Sequence, residues 1–441
     1  MKKEWRRAAA ARGAAMSGEV WRVVGGQPLR GTVRPSGSKN GALPTLAATL
    51  LLEGESVLGN VPRIADVETM LELLRSFGLS VEEMGEGKLR VVNRGLETHR
   101  APEELVARMR ASHYVLGPVA ARLGRAELPL PGGCNIGRRP VEYLLGGLEA
   151  LGVEAQVEED RVTARASRLV GSRIALDPVY RSPGATFALL MTAALARGET
   201  VIENASCEPD VVCFCHFLAA AGAQVDGIGE STLTVQGVEG LAGTTHTINA
   251  DRLETGTFLC AAAATRGDVT VEGAAAADLS AVVGMLQEAG VEVSETGQGL
   301  RAACRERPRG VSLETEPYPG FPTDLQPLAA VVLATAKGES TIHESIFDRR
   351  LQYVGQLVKM GAEMRLIDPR SAAITGVARL HGAEVGGQNI RDGAAMVIAA
   401  LSAEGESSVS GRGFVARGYE EFERKLRALG AQVMAAGEEE G

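Results

Sequence analysis

The sequence predicts a mixed α/β protein built from six like units, grouped as two lobes of three. Three observations carry that expectation. A short glycine-led pattern returns six times, an Ala-rich apolar segment precedes each copy, and an amphipathic segment ending in glycine follows it.

The leading pattern is Gly–(acid or Arg)–x–x–apolar. It reads Gly54-Glu55-Ser56-Val57-Leu58, then more loosely Gly124-Arg125-Ala126-Glu127-Leu128, then Gly198-Glu199-Thr200-Val201-Ile202. It returns at Gly267-Asp268-Val269-Thr270-Val271, Gly338-Glu339-Ser340-Thr341-Ile342 and Gly405-Glu406-Ser407-Ser408-Val409. The intervals between leading glycines are 70, 74, 69, 71 and 67 residues. Solenoid repeats run to ~20–50 residues, so clustered domains fit this period better.

The apolar segment ahead of each glycine, such as Phe187–Ala196 or Ala394–Ala403, has no polar face. It therefore reads as a helix buried all round. After the glycine comes a β-like run, then an amphipathic helix closed by Gly78, Gly222 or Gly430. A helix C-terminus favours a left-handed residue there, and an alternating strand follows.

The bulk numbers exclude several classes. The 441 residues allow two or three cores. Net charge is −9, with 46 basic and 55 acidic residues, which argues against nucleic acid as a partner. No apolar run reaches the ~18–20 residues needed to span a bilayer, so no membrane role is expected. Six cysteines in so long a chain read as reduced thiols in a cytoplasmic protein. Cys213 and Cys215 lack a second Cys/His pair at metal spacing and are expected in a helix. Residues 1–19, Ala- and Arg-rich without an apolar core, read as a disordered N-terminal extension.

Charged residues stand at one topological position, just ahead of the interior helices. They are Lys39, Arg110, Arg181, Asp251 with Glu254, Asp324 and Arg391. A helix N-terminus carries about half a positive charge, and a basic side chain there adds to it. Four basic groups at matching positions point to an anion-binding cleft. Between two repeats, Pro131-Gly132-Gly133-Cys134-Asn135-Ile136-Gly137-Arg138-Arg139-Pro140 rules out a regular element and reads as a loop or lid. Its two arginines would make the Cys134 thiol reactive.

These residues resemble the UDP-N-acetylglucosamine 1-carboxyvinyltransferase family, in its order, from about Val20 to Val433. Ser36–Pro44 is similar to its Lys-Asn motif and Met109–Ser112 to its nucleotide-sugar arginine segment. Residues 131–141 resemble its cysteine loop, Asp251–Thr257 its interdomain segment, and Tyr318–Asp324 with Ile390-Arg391 complete the set. The resemblance implies a two-lobed inside-out α/β barrel, three repeats to a lobe. One lobe is expected over residues 39–248, the other over 20–38 plus 249–441.

The resemblance also implies the chemistry. The sugar 3′-hydroxyl adds to C2 of phosphoenolpyruvate, C3 is protonated, and the adduct loses phosphate, the first committed step of peptidoglycan synthesis. Asp324 is expected as base and Cys134 as acid at C3 and target of fosfomycin. Lys39, Arg139, Arg391 and Asn40 would hold phosphoenolpyruvate. Arg110, Arg139, Pro140, Val141, Glu142, Tyr143, Ser182, Gly184, Asp324 and Ile346 would hold UDP-N-acetylglucosamine. No metal or other cofactor is called for, and the oligomeric state is left open. The chain departs from the family at Glu142, Leu144, Pro183, Cys213 and His216. It departs again at Asn389 and Asp392, where Asp and Ala are usual, and Asp392 could pair with a basic group. A non-catalytic UDP-sugar-binding paralogue and a shikimate 3-phosphate transferase are the rival readings.

Overall fold

In a computed structural model, residues 20–130, 142–158 and 160–435 are described, Glu142 and Tyr143 by their backbone alone. The chain forms two compact units: one takes the chain up to Pro35 and again from Asp251, the other the intervening residues from Ser36 to Ala250. The sequence placed these divisions after residues 38 and 248. The reason for the offset is local. Gly37 bridges Ala250, and Ser38 N–H donates to the Asn249 carbonyl at 2.8 Å, so both crossing segments belong to the enclosed unit.

Six apolar helices occupy the interiors. In the enclosed unit they are α1 (Lys39–Ala48), α2 (Leu116–Leu123) and α3 (Pro183–Ala193). In the other unit they are α4 (Arg252–Thr265), α5 (Gln326–Ala334) and α6 (Ile390–Ser402). All of α4 and α5 is buried, as is α6 from Ile390 to Leu401. These three helices pack pairwise on one another. Their Ala content permits that close approach, and each buried Leu or Val contributes roughly 1.5–3 kcal/mol.

Each helix runs on to a leading strand: β1 (Leu52–Gly59), β2 (Arg125–Pro129), β3 (Glu199–Glu203), β4 (Asp268–Glu272), β5 (Glu339–His343) and β6 (Glu406–Ser410). Each anchors its own small sheet, six in all among the described residues. Burial alternates along them, with Ser340 and Ile342 inward on β5, as a one-sided sheet demands. Amphipathic helices follow: Ala65–Ser76, Glu142–Ala150, Pro209–Ala220, Ser280–Glu288, Val354–Lys359 and Phe422–Ala428. Gly78 and Gly430, just past two of them, have φ of +100° and +90°. The first strand, Val20–Val24, lies between β6 and Gln432–Ala435 in one sheet, antiparallel to both.

Among the described residues no helix is long and apolar enough to cross a membrane. Cys213 and Cys215 lie on the helix Pro209–Ala220. Cys215 is buried, while Cys213 Sγ lies 3.2 Å from His246 Nε2. Burial pushes the Cys213 thiol up to about 11, which makes it a poor nucleophile.

Candidate active site

In the enclosed unit, Ser38 caps α1, its Oγ accepting from Gly41 N–H at 3.2 Å. Lys39, the first helical residue, turns its Nζ to within 2.7 Å of Asp66 Oδ2; the side chains are 13% and 5% exposed. Asp66 lies in the first turn of Ala65–Ser76, where the helix dipole favours an acid. The sequence argument held that a basic group at this helix mouth needs an external anion. In the folded chain a carboxylate of the protein itself answers it. Asn40, half-buried, follows Lys39 in the same first turn.

Arg110 opens a 3₁₀ turn, Arg110–Val115, that leads into α2, and its carbonyl lies 2.8 Å from His113 Nδ1. Ser182 caps α3, accepting from Ala185 N–H at 3.2 Å, and Pro183 occupies the first helical position, where its missing N–H costs nothing. The two segments adjoin. A Cβ on Gly184 would lie 3.7 Å from both His113 Nε2 and Tyr114 Oη, and Tyr114 packs edge-on against Phe187 at 5.9 Å. The 3₁₀ turn that Arg110 opens and the start of α3, with Ser182 and Gly184, therefore lie side by side.

In the other unit, Asp324 sits in the 3₁₀ turn Thr323–Leu325 that leads into α5. Its Oδ1 accepts from Arg350 Nη2 at 2.9 Å and its Oδ2 from Arg391 Nε at 3.3 Å. The arginine side chains are 1% and 5% exposed, whereas Asp324 is 30% exposed. Two buried cations thus hold a carboxylate that still reaches the surface. Burial works against the charge of Arg391, yet Tyr419, Asp324 and Asp251 hold it above the ordinary guanidinium value. Its guanidinium lies 5.0 Å from the Tyr419 ring centroid, a cation–π contact. Tyr419 Oη in turn lies 2.8 Å from Thr257 Oγ1 on α4.

The turn bearing Asp324 is clamped from below. Fully buried Glu344 accepts from Thr323 Oγ1 at 3.0 Å and from the backbone N–H groups of Ile346 and Phe347 at 3.0 and 2.9 Å. Because the Ile346 N–H is already engaged, any main-chain contact it makes to a sugar falls to its carbonyl. Gly256 on α4 is needed beneath the same turn, since a Cβ there would meet Leu325 Cδ1 at 2.2 Å.

Asp251 caps α4, accepting from Leu253 and Glu254 N–H at 2.8 and 3.0 Å. Asn389 caps α6, accepting from Arg391 and Asp392 N–H at 3.1 and 3.0 Å. Asn389 therefore does neutrally the capping that an Asp would do. Asp392 Oδ1 is buried without a hydrogen-bond partner, so the expected pairing with a basic group is not formed. Burial pushes its carboxyl up to about 6, with Arg350 pulling the other way.

Cys134, Arg139, Pro140 and Val141 lie outside the described residues, and Glu142 and Tyr143 begin the helix Glu142–Ala150. Asp66 and Arg350 were missed in the sequence. Arg350 lies four residues past Ile346, beside an equally charged Arg349, and no periodicity separates them. Among the described residues no cluster of three His, Cys, Asp or Glu could hold a metal ion.

Residues 23–426 match the family model described as EPSP synthase (3-phosphoshikimate 1-carboxyvinyltransferase). The chain is 45% identical over 413 residues to UDP-N-acetylglucosamine 1-carboxyvinyltransferase 3 of Symbiobacterium thermophilum, covering 93% of this chain and 97% of that one. It is 46% identical over 414 residues to the UDP-N-acetylglucosamine 1-carboxyvinyltransferase of Cellvibrio japonicus, covering 93% and 98%. Among solved structures it is similar to the enolpyruvyl transferase NikO from Streptomyces tendae, with a TM-score of 0.85 at 24% identity, covering 95% and 99%. EPSP synthase from Acinetobacter baumannii follows with a TM-score of 0.72 at 18% identity, covering 95% and 100%.

Proposed function

Because the chain belongs to the UDP-N-acetylglucosamine 1-carboxyvinyltransferase family, we propose that it transfers the enolpyruvyl group of phosphoenolpyruvate to the 3′-hydroxyl of UDP-N-acetylglucosamine, releasing phosphate. The observation that carries this reading is the 45–46% identity over 93% of the chain to relatives of that name. The residue roles are our own assignment, and the chemistry of the side chains supports them. In this reading the enzyme works in the cytoplasm, where both substrates are made.

Asp324 is the base. Its carboxylate is oriented by two guanidiniums yet partly exposed, so one carboxylate oxygen can take the hydroxyl proton as the sugar 3′-oxygen attacks C2. A positioned base of this kind is typically worth ~10²–10⁴ in rate. Cys134 delivers the proton to C3. The adduct then collapses: a C3 proton returns to the Cys134 thiolate, its electron pair reforms the C2–C3 double bond, and the C2–O bond to phosphate breaks.

Arg391 and Lys39 bind the anion. Both are already ion-paired, to Asp324 and Asp66, so phosphoenolpyruvate binds by exchange. The exchange at Arg391 is productive, because a guanidinium drawn to the incoming anion leaves Asp324 less encumbered. Arg391 Nη1 is buried without a partner, a donor ready for that anion. Asn40 and Arg139 complete the anion site. Arg110, Ser182 and Gly184 receive the diphosphate, Pro140 to Tyr143 the uracil, and the Ile346 carbonyl the sugar.

The test is phosphate release by purified protein given phosphoenolpyruvate and UDP-N-acetylglucosamine. Release only with shikimate 3-phosphate, or nucleotide binding without release, overturns the assignment. Fosfomycin should add a single mass to the protein and none to Cys134→Ala.

A further inference from the structure

The buried groups behind Asp324 carry an inference about how that base is set. Arg350 holds Asp324 through Nη2 at 2.9 Å, while its Nε has no hydrogen-bond partner. Asp392 Oδ1, in the first turn of α6, has none either, and the two residues are each 2% exposed. The positive charge that stabilises the Asp392 carboxylate is that of Arg350, and Asp324 opposes it. Tyr353, one turn past Arg350 and 1% exposed, also has a partnerless hydroxyl in the field of Asp392, Glu344 and Arg350. A buried donor and a buried acceptor of opposite charge, each without a partner and within each other's electrostatic reach, are an unmade pair.

We propose that Asp392 is a positioning residue that draws Arg350 away from Asp324, lifting one buried cation off the base. The proposal rests on Asp324 being the base. While Arg350 sits on Asp324 Oδ1, it stabilises the carboxylate and makes it a weaker base. Asp392 offers the guanidinium a second seat without moving it out of the interior. Asn389 keeps the helix cap and also steadies the Asp392 carboxylate, which acts on Arg350 from one turn on.

The device depends on pH. The charged and titratable groups on elements packed around Asp392 are Asp324, Glu344, Arg350, Tyr353, Asp251, Arg252, Glu254, Arg391, Arg412 and Tyr419, with Arg22, Lys359, Glu384 and Glu406 on the neighbouring strands and helix. Burial acts most on its charge, Arg350 and the Asn389 side chain favour the carboxylate, and Asp324 opposes it. The carboxyl titrates at about 6. Below that pH Asp392 is neutral, Arg350 stays on Asp324, and kcat falls; above it the second seat is charged and kcat is full.

The experiment measures kcat at saturating substrates from pH 5 to 9, with UDP-N-acetylglucosamine affinity alongside, for the wild type, Asp392→Asn, Asp392→Ala and Asp324→Asn. The wild type should lose rate through an ionisation near pH 6. Both Asp392 variants should lack that step and run about tenfold slower at pH 8, with sugar-nucleotide affinity within twofold. Ionisation of phosphoenolpyruvate itself would persist in the variants, which separates it from Asp392. Variants with wild-type kcat and profile overturn the proposal, as does a wild-type profile flat from pH 5 to 7, which needs no variant to fold. If Asp324→Asn turns over at the wild-type rate, the base assignment has failed; if it is inactive while Asp392→Asn is normal, only this proposal has.

Discussion

Lys39 and Asp324 stand at equivalent helix starts in the two units, yet their charges are answered differently. Lys39 Nζ meets a carboxylate of opposite charge, Asp66, at 2.7 Å, the two side chains 13% and 5% exposed. Asp324 lies among Arg350, Arg391 and Asp392, with Glu344 below. A lysine paired in this way can turn its ammonium toward a substrate anion by side-chain rotation. A shared set of charges holds its centre in one place whichever partner moves. The difference separates a site that captures from a site that must stay aligned.

The sharpest way to break this comparison is Asp324→Asn, which keeps the shape and removes the base. Turnover should fall ~10²–10⁴-fold, measured by phosphate release, with little loss of nucleotide binding. A drop below tenfold would place Asp324 beside Lys39 as a mere binding group.

Next in size is Arg350→Ala. It leaves Asp324 and Asp392 without their buried cation, a loss worth ~3–5 kcal/mol where one partner of a buried pair is removed. Asp66→Asn, whose cation Lys39 can turn toward water, should cost less. Denaturant midpoints compare the two, and equal losses would erase the distinction.

The third concerns pH. Asp392 has its carboxyl raised in the folded state, from 3.8 to about 6. Its contribution to stability is therefore full below pH 3.8 and is lost as pH rises through about 6. At 1.36 kcal/mol per pK unit the loss approaches ~3 kcal/mol. Asp392→Asn lacks this step, so its advantage over the wild type should grow from pH 4 to pH 8 in thermal melts. An advantage independent of pH would refute the buried charge.

The smallest effect compares the caps. Asp251 and Asn389 each accept two backbone N–H groups, whereas Ser182 accepts one at 3.2 Å. Asp251→Ala should cost ~1–2 kcal/mol and Ser182→Ala ~0.5–1 kcal/mol by denaturation.

Much of this was legible in the sequence because it is local. Interior helices announce themselves by lacking a polar face, and the glycines at Gly78 and Gly430 by following a helix. The helix-mouth charges Lys39, Arg110, Asp324 and Arg391 could be counted off from the repeat. What could not be read were their partners. Lys39 meets Asp66 across 27 residues and Asp324 meets Arg391 across 67, pairings made only by tertiary packing. The sequence argument therefore left four cations waiting for an outside anion, when the fold supplies carboxylates to Lys39 and Arg391. Asp392 stood out as a departure, but its burial beside Arg350 depends on how the turn after β5 returns to α6.

The strand Val20–Val24 gives the chain an order of assembly. Its hydrogen-bonding neighbours are β6 and Gln432–Ala435, more than 380 residues downstream. On a ribosome the first strand made has no seat until the last has emerged. The enclosed unit, whose described residues all lie between Ser36 and Ala250, can close while the rest is still being synthesised. A release of the chain before residue 406 would leave a finished unit carrying an orphaned strand, an exposed edge ready to pair with whatever strand it meets.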